Sequence, residues 1–192
     1  MNSEKKSRLS KIGTLNTDRV VSISAILVSL GTLFMIFYQT NLVRKEQKAS
    51  VMPSLQIGYS VNGTVERINL INQGLGPAFI QKVSIIEKDT TYNLDPYSYL
   101  NQLDIYDKKE TTFYNRIYKG TIISANHRTK IFEKRTDSTS KLILNNLFRF
   151  PYTIDGAQNI GLNKAVIEIV YENIYGDEWK IQSNKAIPKK LD

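Results

Sequence analysis

The feature that most constrains this chain is an uncharged run of 19 residues near its N-terminus, from Val20 to Tyr38. A helix rises about 1.5 Å per residue, so the run matches the roughly 30 Å hydrocarbon core of a bilayer. A buried helix of a soluble domain usually keeps a polar face, whereas the polar positions here are only Ser, Thr and Gly. The run also exceeds the apolar region of about 7–15 residues in cleaved signal peptides. It therefore predicts an uncleaved transmembrane helix over residues 20–39, with the lipid bilayer as a partner.

The charge distribution supports this interpretation. The chain has 26 Lys and Arg against 18 Asp and Glu, a formal charge of +8 that could indicate nucleic-acid binding. However, residues 1–49 alone carry a net charge of +5, so the excess flanks the apolar run, and we expect no nucleic-acid partner. Five basic residues precede the run and three follow it closely. This bias favours a cytoplasmic N-terminus and an external C-terminal domain, although the charged stretch Arg44–Lys48 favours the reverse orientation.

A stripe of small residues follows one face of the predicted transmembrane helix. Ser22, Ala25, Ser29 and Thr32 recur at steps of three and four, which places them on one side. Small residues let membrane helices approach closely, so the stripe predicts self-association or association with a partner helix. The alternative is that the Ser and Thr hydroxyls bond back to carbonyls of their own helix.

The remaining residues predict a stem and a β-domain. Residues 40–52 lack helix breakers and predict a helical juxtamembrane stem, which Pro53 ends. Short alternating segments separated by turn signals, such as Asn62-Gly63, then predict about eight antiparallel strands in a sandwich with two short helical insertions. The predicted segments are a basic N-terminal segment at 1–19, the β-sandwich at 53–185 and a flexible tail at 186–192. Within the domain, the predicted strands include 64–71, 78–87, 90–94, 115–124 and 128–135. One predicted helix begins at Asp95-Pro96, and a second covers 141–148.

One turn stands out between the second and third predicted strands. Asn72, Gly74, Gly76 and Pro77 fall within six residues. Glycine adopts backbone conformations that other residues avoid, and proline fixes φ. We therefore predict a compact structural turn made by these four residues.

Three segments carry a resemblance to a known group of proteins. They are SVMPSL (50–55), NLINQGLGPAFIQKVSI (69–85) and IEIVYENIYGDEW (167–179). Together with the apolar run they resemble uncharacterised bacterial single-pass membrane proteins, whose pattern is a membrane helix, a charged stem, an N-x-G-x-GPA-x-I turn and a late Y-x-x-x-YG-x-x-W hairpin. The resemblance covers the chain from about Arg19 to Trp179. It implies an immunoglobulin-like β-sandwich on a membrane anchor in a bacterium, which we expect to lie in the inner membrane, and it implies no activity.

Composition argues against catalysis. The chain has no Cys, and its one histidine, His127, lies in a predicted turn without a recognisable nucleophile motif. Asp104, Asp107 and Glu110 could in principle meet a divalent cation, but two lysines lie between them and favour a solvated surface. We therefore predict no catalytic, metal or cofactor-binding residues.

Tyrosine is the most distinctive residue of the predicted domain. Six of its eleven copies fall between residues 92 and 118. Tyrosine is enriched at binding interfaces, because it offers a large contact area and a polar hydroxyl. The pattern predicts a partner-binding surface, and the alternative is a set of half-buried rings that cover the sandwich edge. The residues predicted for this surface are Tyr97, Tyr99, Tyr106, Tyr114 and Tyr118.

The sequence thus predicts a membrane-anchored binding module without enzymatic activity, which recognises a protein partner or associates through its helix. The alternative is a membrane-bound sensor or effector of a bacterial stress or defence system, which binds a small ligand and assembles through its helix. A deep polar pocket near residues 97–118 would favour the sensor, and an exposed aromatic patch would favour the binding module.

Overall fold

A long apolar helix begins the part of the protein that the computed structural model describes, which is residues 17–103, 111–135, 144–150 and 164–191. This helix, α1, runs without interruption from Thr17 to Ser50, and none of its residues is buried. It is long and apolar enough to cross a membrane. It contains the predicted span and most of the predicted stem, and it ends three residues before Pro53.

The chain from Lys48 onward forms a separate compact unit that is mainly β, as predicted. Its described residues form ten strands and two short helices. In chain order they are β1 (Leu55–Asn62), β2 (Val65–Asn72), β3 (Ala78–Glu87), β4 (Thr90–Tyr92), α2 (Pro96–Gln102), β5 (Thr111–Tyr114), β6 (Ile122–Ile123), β7 (Arg128–Arg135), α3 (Leu144–Leu147), β8 (Val166–Glu172), β9 (Glu178–Gln182) and β10 (Lys189–Lys190).

The strands form two antiparallel sheets. The first sheet has the order β1-β2-β7-β5, and the second has the order β10-β9-β8-β3-β4 with β6 paired to β3. A hairpin at the predicted Asn62-Gly63 signal joins β1 and β2, with Asn62 opposite Val65 and Gly63 at φ 59°. Alternate side chains of both sheets meet in one hydrophobic core, as the buried Ile167, Ile169 and Tyr171 of β8 illustrate. The Leu55 N–H of the first sheet donates to the Tyr171 hydroxyl of the second at 3.3 Å.

The predicted strand over 115–124 is wrong, because this part of the chain changes sheets. β5 pairs with β7 in the first sheet, whereas β6 pairs with β3 in the second. The residues between them must cross from one sheet to the other, so they cannot continue one ladder. Gly120 makes the turn into the second sheet with φ 93°, and its N–H donates to the Ile80 carbonyl at 2.8 Å.

Part of the segment predicted as a flexible tail from residue 186 pairs with the second sheet. Residues 189–190 form β10 against β9, and the Leu191 N–H donates to the Glu178 carbonyl at 2.9 Å. The tail shows no alternating pattern, because a two-residue edge strand leaves no periodic signal. β9 supplies the pairing partner of these residues.

The helical insertion α2 covers one open side of the sandwich. Asp95 caps its N-terminus as predicted, since its side chain accepts from the Tyr97 and Ser98 N–H groups and Pro96 occupies the first turn. α2 packs against β7 of one sheet and β3 of the other. It lies on the side where β5 and β4 are the outer strands, so its tyrosines meet both sheets. The second predicted helix is observed as α3, and residues 141–143 of that prediction lie outside the described residues.

Candidate functional site

Several loops gather where the chain arrives from α1, and we call this the stem end of the sandwich. It consists of residues 48–54, 72–77, 124–127 and 173–177, with β10 beside them. Backbone hydrogen bonds connect these loops, because the Gln73 N–H donates to the Ser54 carbonyl and the Asn72 N–H donates to the His127 carbonyl, each at 2.9 Å. Met52 and Asn173 line one shared groove. The loops therefore form one continuous surface.

The predicted turn at residues 72–77 is built around the fully buried side chain of Asn72. Its Oδ1 accepts from the Ser54 and Gly74 N–H groups at 3.1 and 3.0 Å. Its Nδ2 donates to the carbonyls of Gly76 and Ile123 at 2.8 and 3.1 Å. One side chain thus joins the loop after α1, the turn itself and β6.

The two glycines of this turn are required by space. A Cβ at Gly74 would overlap the Met52 carbonyl, and one at Gly76 would overlap the carbonyl of Val51. The 72–77 turn therefore lies directly against the backbone that follows α1. Pro77 follows these glycines and leads into β3.

A second asparagine holds the β8–β9 turn in the same way. The Asn173 side chain accepts from the Tyr175 and Asp177 N–H groups at 2.8 and 3.0 Å, and it is 3% exposed. Gly176 completes the turn with φ 77°. The Gly176-Asp177 turn was predicted from the sequence, whereas the role of Asn173 was not. An Asn three residues before a turn glycine is the signal that could have indicated it.

The stem end exposes apolar side chains on these rigid loops. The exposed fractions are 43% for Met52, 66% for Leu75, 52% for Ile174 and 48% for Tyr175. The Lys48 ammonium lies 5.6 Å from the centre of the Tyr175 ring. The surface therefore combines apolar side chains with an aromatic ring and a cation.

A groove of about 420 Å³ crosses the stem end. The Lys190 ammonium lies 5.7 Å from the Trp179 ring centre and 3.1 Å from the Asp177 carboxylate. Hydrogen bonds from Lys190 and Asn173 lower the pKa of Asp177, and the nearby Lys48 charge adds to this shift. The lining residues are Lys48, Ala49, Met52, Asn173, Asp177, Trp179, Pro188 and Lys190.

A second surface lies at the open side that α2 covers, and we call it the edge surface; its residues are Tyr97, Phe113, Tyr114, Arg116 and Tyr118. The rings of Tyr97 and Tyr114 stack with centroids 3.7 Å apart and planes 15° apart. Their proximity raises the pKa of Tyr97, mainly through a hydrogen bond with Tyr114. The exposed fractions are 43% for Tyr114, 49% for Phe113 and 67% for Tyr118.

Two charged residues flank these rings. Arg116 lies 3.7 Å from the Asp95 carboxylate and donates to Ser98 Oγ at 3.2 Å, so it lies beside the N-terminus of α2. The Lys130 ammonium lies 4.8 Å from the centre of the Phe113 ring. Phe113 and Arg116 were not among the predicted surface residues. Arg116 is placed there by its contacts with Asp95 and Ser98, and Phe113 by its position in β5.

The tyrosine prediction needs one correction. Tyr99 is 5% exposed and belongs to the core, so it is not a surface residue. Its hydroxyl donates to Glu87 at 3.1 Å, and burial raises its pKa to about 12. Its ring lies 5.9 Å from that of Tyr92 on β4. Tyr106 lies outside the described residues.

The small-residue stripe on α1 makes bonds within its own helix. The Ser22 hydroxyl donates to the Asp18 carbonyl at 2.7 Å, and the Thr32 hydroxyl donates to the Val28 carbonyl at 2.8 Å. These bonds fit the alternative interpretation of Ser22 and Thr32. Helix association through the stripe, including Ala25 and Ser29, stays a prediction.

Of the four residues considered above for catalysis or metal binding, the structure describes one, His127. The His127 side chain is exposed in the β6–β7 turn, where its backbone carbonyl accepts from Asn72. Asp104, Asp107 and Glu110 lie outside the described residues. Within the described ranges, no group of three or more His, Asp or Glu side chains could hold a metal ion.

No family model, curated protein or solved structure matches the chain. The resemblance to bacterial single-pass membrane proteins therefore stays a prediction. The structure does add one observation to it. Parts of all three resembling segments, namely Val51–Ser54, the turn after β2 and the turn after β8, meet at the stem end.

Proposed function

We propose that this chain is a single-pass membrane protein, anchored by α1, whose β-sandwich binds a protein partner through the edge surface. The observation that carries the proposal is the exposed aromatic group of Phe113, Tyr114 and Tyr118 beside Arg116. Aromatic residues and arginine are the residue types most enriched in interface cores and binding hot spots.

The apolar surface of α1 supports the anchoring. Its large apolar side chains are exposed along the whole run from Val20 to Tyr38. Water-exposed apolar patches of this size are rare in soluble proteins, and a bilayer would cover this one. We further propose that the membrane is a bacterial inner membrane and that the N-terminus is cytoplasmic, because the basic residues favour the N-terminal flank.

The exposure of the edge rings supports protein binding over small-molecule sensing. A ligand pocket usually buries most of its ligand among enclosed side chains. Here the Tyr118 ring is two-thirds exposed, and Phe113 faces away from the core. We propose binding in place of catalysis, and we propose an immunoglobulin-like relationship for the sandwich, which the two antiparallel sheets around one core support.

Site-specific photocrosslinking in intact membranes tests the proposed partner surface. A photoreactive amino acid would replace Tyr118 or Phe113 in the full-length chain, and Ile187, which is 79% exposed, would be the matched control position. We expect discrete adducts from positions 113 and 118 that weaken when Arg116→Ala is added. Equal adducts from position 187, or no adducts from the edge positions, would contradict the proposal.

A further inference from the structure

Leu75, Ile174 and Tyr175 at the stem end are used neither by the core nor by the edge surface. Each is about half exposed or more, and each lies in a loop at the end where α1 joins the domain. Leu75 neighbours Met52, because its N–H donates to the Met52 carbonyl at 3.1 Å. Tyr175 neighbours Lys48, the last lysine of α1. Leu75 and Tyr175 therefore lie beside residues 48–52, the first residues of the domain, and Ile174 precedes Tyr175 in the same turn.

The loops that carry these side chains have fixed conformations. Leu75 lies between Gly74 and Gly76, whose backbones press against residues 51–52, and the buried Asn72 holds this turn from inside. Ile174 and Tyr175 lie in the turn that the Asn173 side chain holds. A mobile loop could fold its apolar side chains inward, whereas these loops keep theirs directed outward.

The length of α1 beyond the apolar run limits how far the stem end can lie from the bilayer surface. Arg44 is the first charged residue after the apolar run, so it marks the headgroup region of a bilayer that α1 spans. Ser50, where α1 ends, is six positions after Arg44, and this corresponds to about 9 Å of helix. The stem end therefore begins within about 9 Å, along the chain, of the headgroup region that Arg44 marks.

We propose that the stem end docks on the surface of the bilayer that α1 spans, with Leu75, Ile174 and Tyr175 among the lipid headgroups. This inference rests on the proposed anchoring by α1. Tyrosine and apolar side chains are favoured at membrane interfaces, and a lysine can keep its ammonium in water while its stem lies in the interface, which suits Lys48 beside Tyr175.

Charge makes a small contribution to this docking. Lys190 at the stem end pairs with the Asp177 carboxylate, and a second carboxylate, that of Glu178, follows Asp177 in the chain. Lys48 faces the Tyr175 ring. Because Asp177 matches the Lys190 charge and apolar side chains carry the contact, we expect docking on zwitterionic lipid.

Spin labelling of the full-length chain in phosphatidylcholine vesicles tests the docking. The chain has no Cys, so single substitutions give unique labels. Leu75→Cys and Ile174→Cys report on the stem end. Asp89→Cys, exposed in the β3–β4 turn at the opposite end of β3, is the water control, and Phe34→Cys reports on α1. The measurement compares collisions with oxygen, which enriches in lipid, with collisions with a water-soluble nickel complex.

We expect nickel collisions at positions 75 and 174 to be at least about threefold fewer than at position 89, with oxygen collisions raised, as for side chains in a membrane interface. Equal nickel collisions at 75, 174 and 89, with position 34 in lipid, would overturn the docking and leave the anchoring intact. Water contact at position 34 would contradict the anchoring as well. Low collisions with both reagents, together with spin–spin broadening, would overturn the docking in favour of contact between two copies.

Discussion

The stem end and the edge surface both expose aromatic or apolar side chains, but they hold them differently. At the stem end, the buried amides of Asn72 and Asn173 fix the backbone, and the apolar side chains of Leu75 and Ile174 project from it. At the edge surface, the rings themselves form the structure, because Tyr97 stacks on Tyr114.

Side chains of this domain are therefore exposed for two different reasons. The edge tyrosines close the open side of a sandwich, so part of each ring serves packing and the remainder is left for a partner. The apolar side chains of the stem-end turns contribute little to packing, and the proposed docking on a membrane would explain their exposure. We therefore expect substitutions of the exposed side chains at the stem end to weaken binding with little loss of stability. Substitutions at the edge surface should affect both.

The largest difference in stability is expected between substitutions at Tyr99, a buried tyrosine of α2, and at Tyr118, an exposed tyrosine of the edge surface. Tyr99→Ala removes a buried ring and should lower the free energy of unfolding by about 3–5 kcal/mol. Tyr118→Ala removes a ring that is 67% exposed and should change it by less than about 0.5 kcal/mol. Urea unfolding of the detergent-solubilised protein, followed by fluorescence of the single Trp179, measures both. Equal losses would show that Tyr118 also serves packing.

The next effect compares the two asparagine turns. Asn72→Ala leaves several buried backbone groups without partners and should cost about 3 kcal/mol. Asn173→Ala should cost about 1–2 kcal/mol, because water can reach the freed N–H of the half-exposed Tyr175. Asn115→Ala, at an exposed asparagine outside both turns, is the matched control. A larger loss from Asn173→Ala than from Asn72→Ala would reverse our ranking of the turns.

The smallest expected effect is a loss of stability at acidic pH. Hydrogen bonds from Arg67 and Lys130 lower the pKa of Glu133, which lies opposite Phe113 in the β5–β7 ladder. A carboxyl with a lowered folded pKa stabilises the protein above its ordinary value of 4.5, and this contribution is lost as the pH falls further. For this partly exposed group we expect less than about 1 kcal/mol.

The acid effect is measured as the urea midpoint between pH 6 and pH 3. Glu133→Gln should flatten this dependence. Asp177→Asn should flatten it to a smaller extent, because hydrogen bonds from Lys190 and Asn173 lower the pKa of Asp177 in the same direction at the stem end. An unchanged profile in the Glu133 variant would show that the ion pair with Arg67 adds nothing to stability.

Features set by neighbouring residues were predictable from the sequence. Alternation predicted β3 and β7 with the observed bounds, and the Asn-Gly signal predicted the first hairpin. The glycines and proline after Asn72 predicted a compact turn. Each of these depends on local backbone preference or on a two-residue period.

Features set by distant contacts were not predictable. The crossing between β5 and β6 follows from the pairing of each strand with a different sheet. The burial of Tyr99 depends on where α2 packs, since its neighbours Tyr92 and Tyr97 are only half-buried. Arg116 joins the edge surface through contacts with Asp95 and Ser98, about twenty residues earlier in the chain.

Alkaline extraction of membranes from cells that produce the full-length chain tests whether α1 spans a bilayer. We expect the chain to stay in the membrane pellet. A variant with Leu27→Arg and Leu33→Arg should be released, because each arginine near the centre of a span costs about 2.5–3.5 kcal/mol. A variant with Leu27→Ala and Leu33→Ala is the matched control and should stay in the pellet. Release of the unmodified chain into the alkaline supernatant would contradict the account.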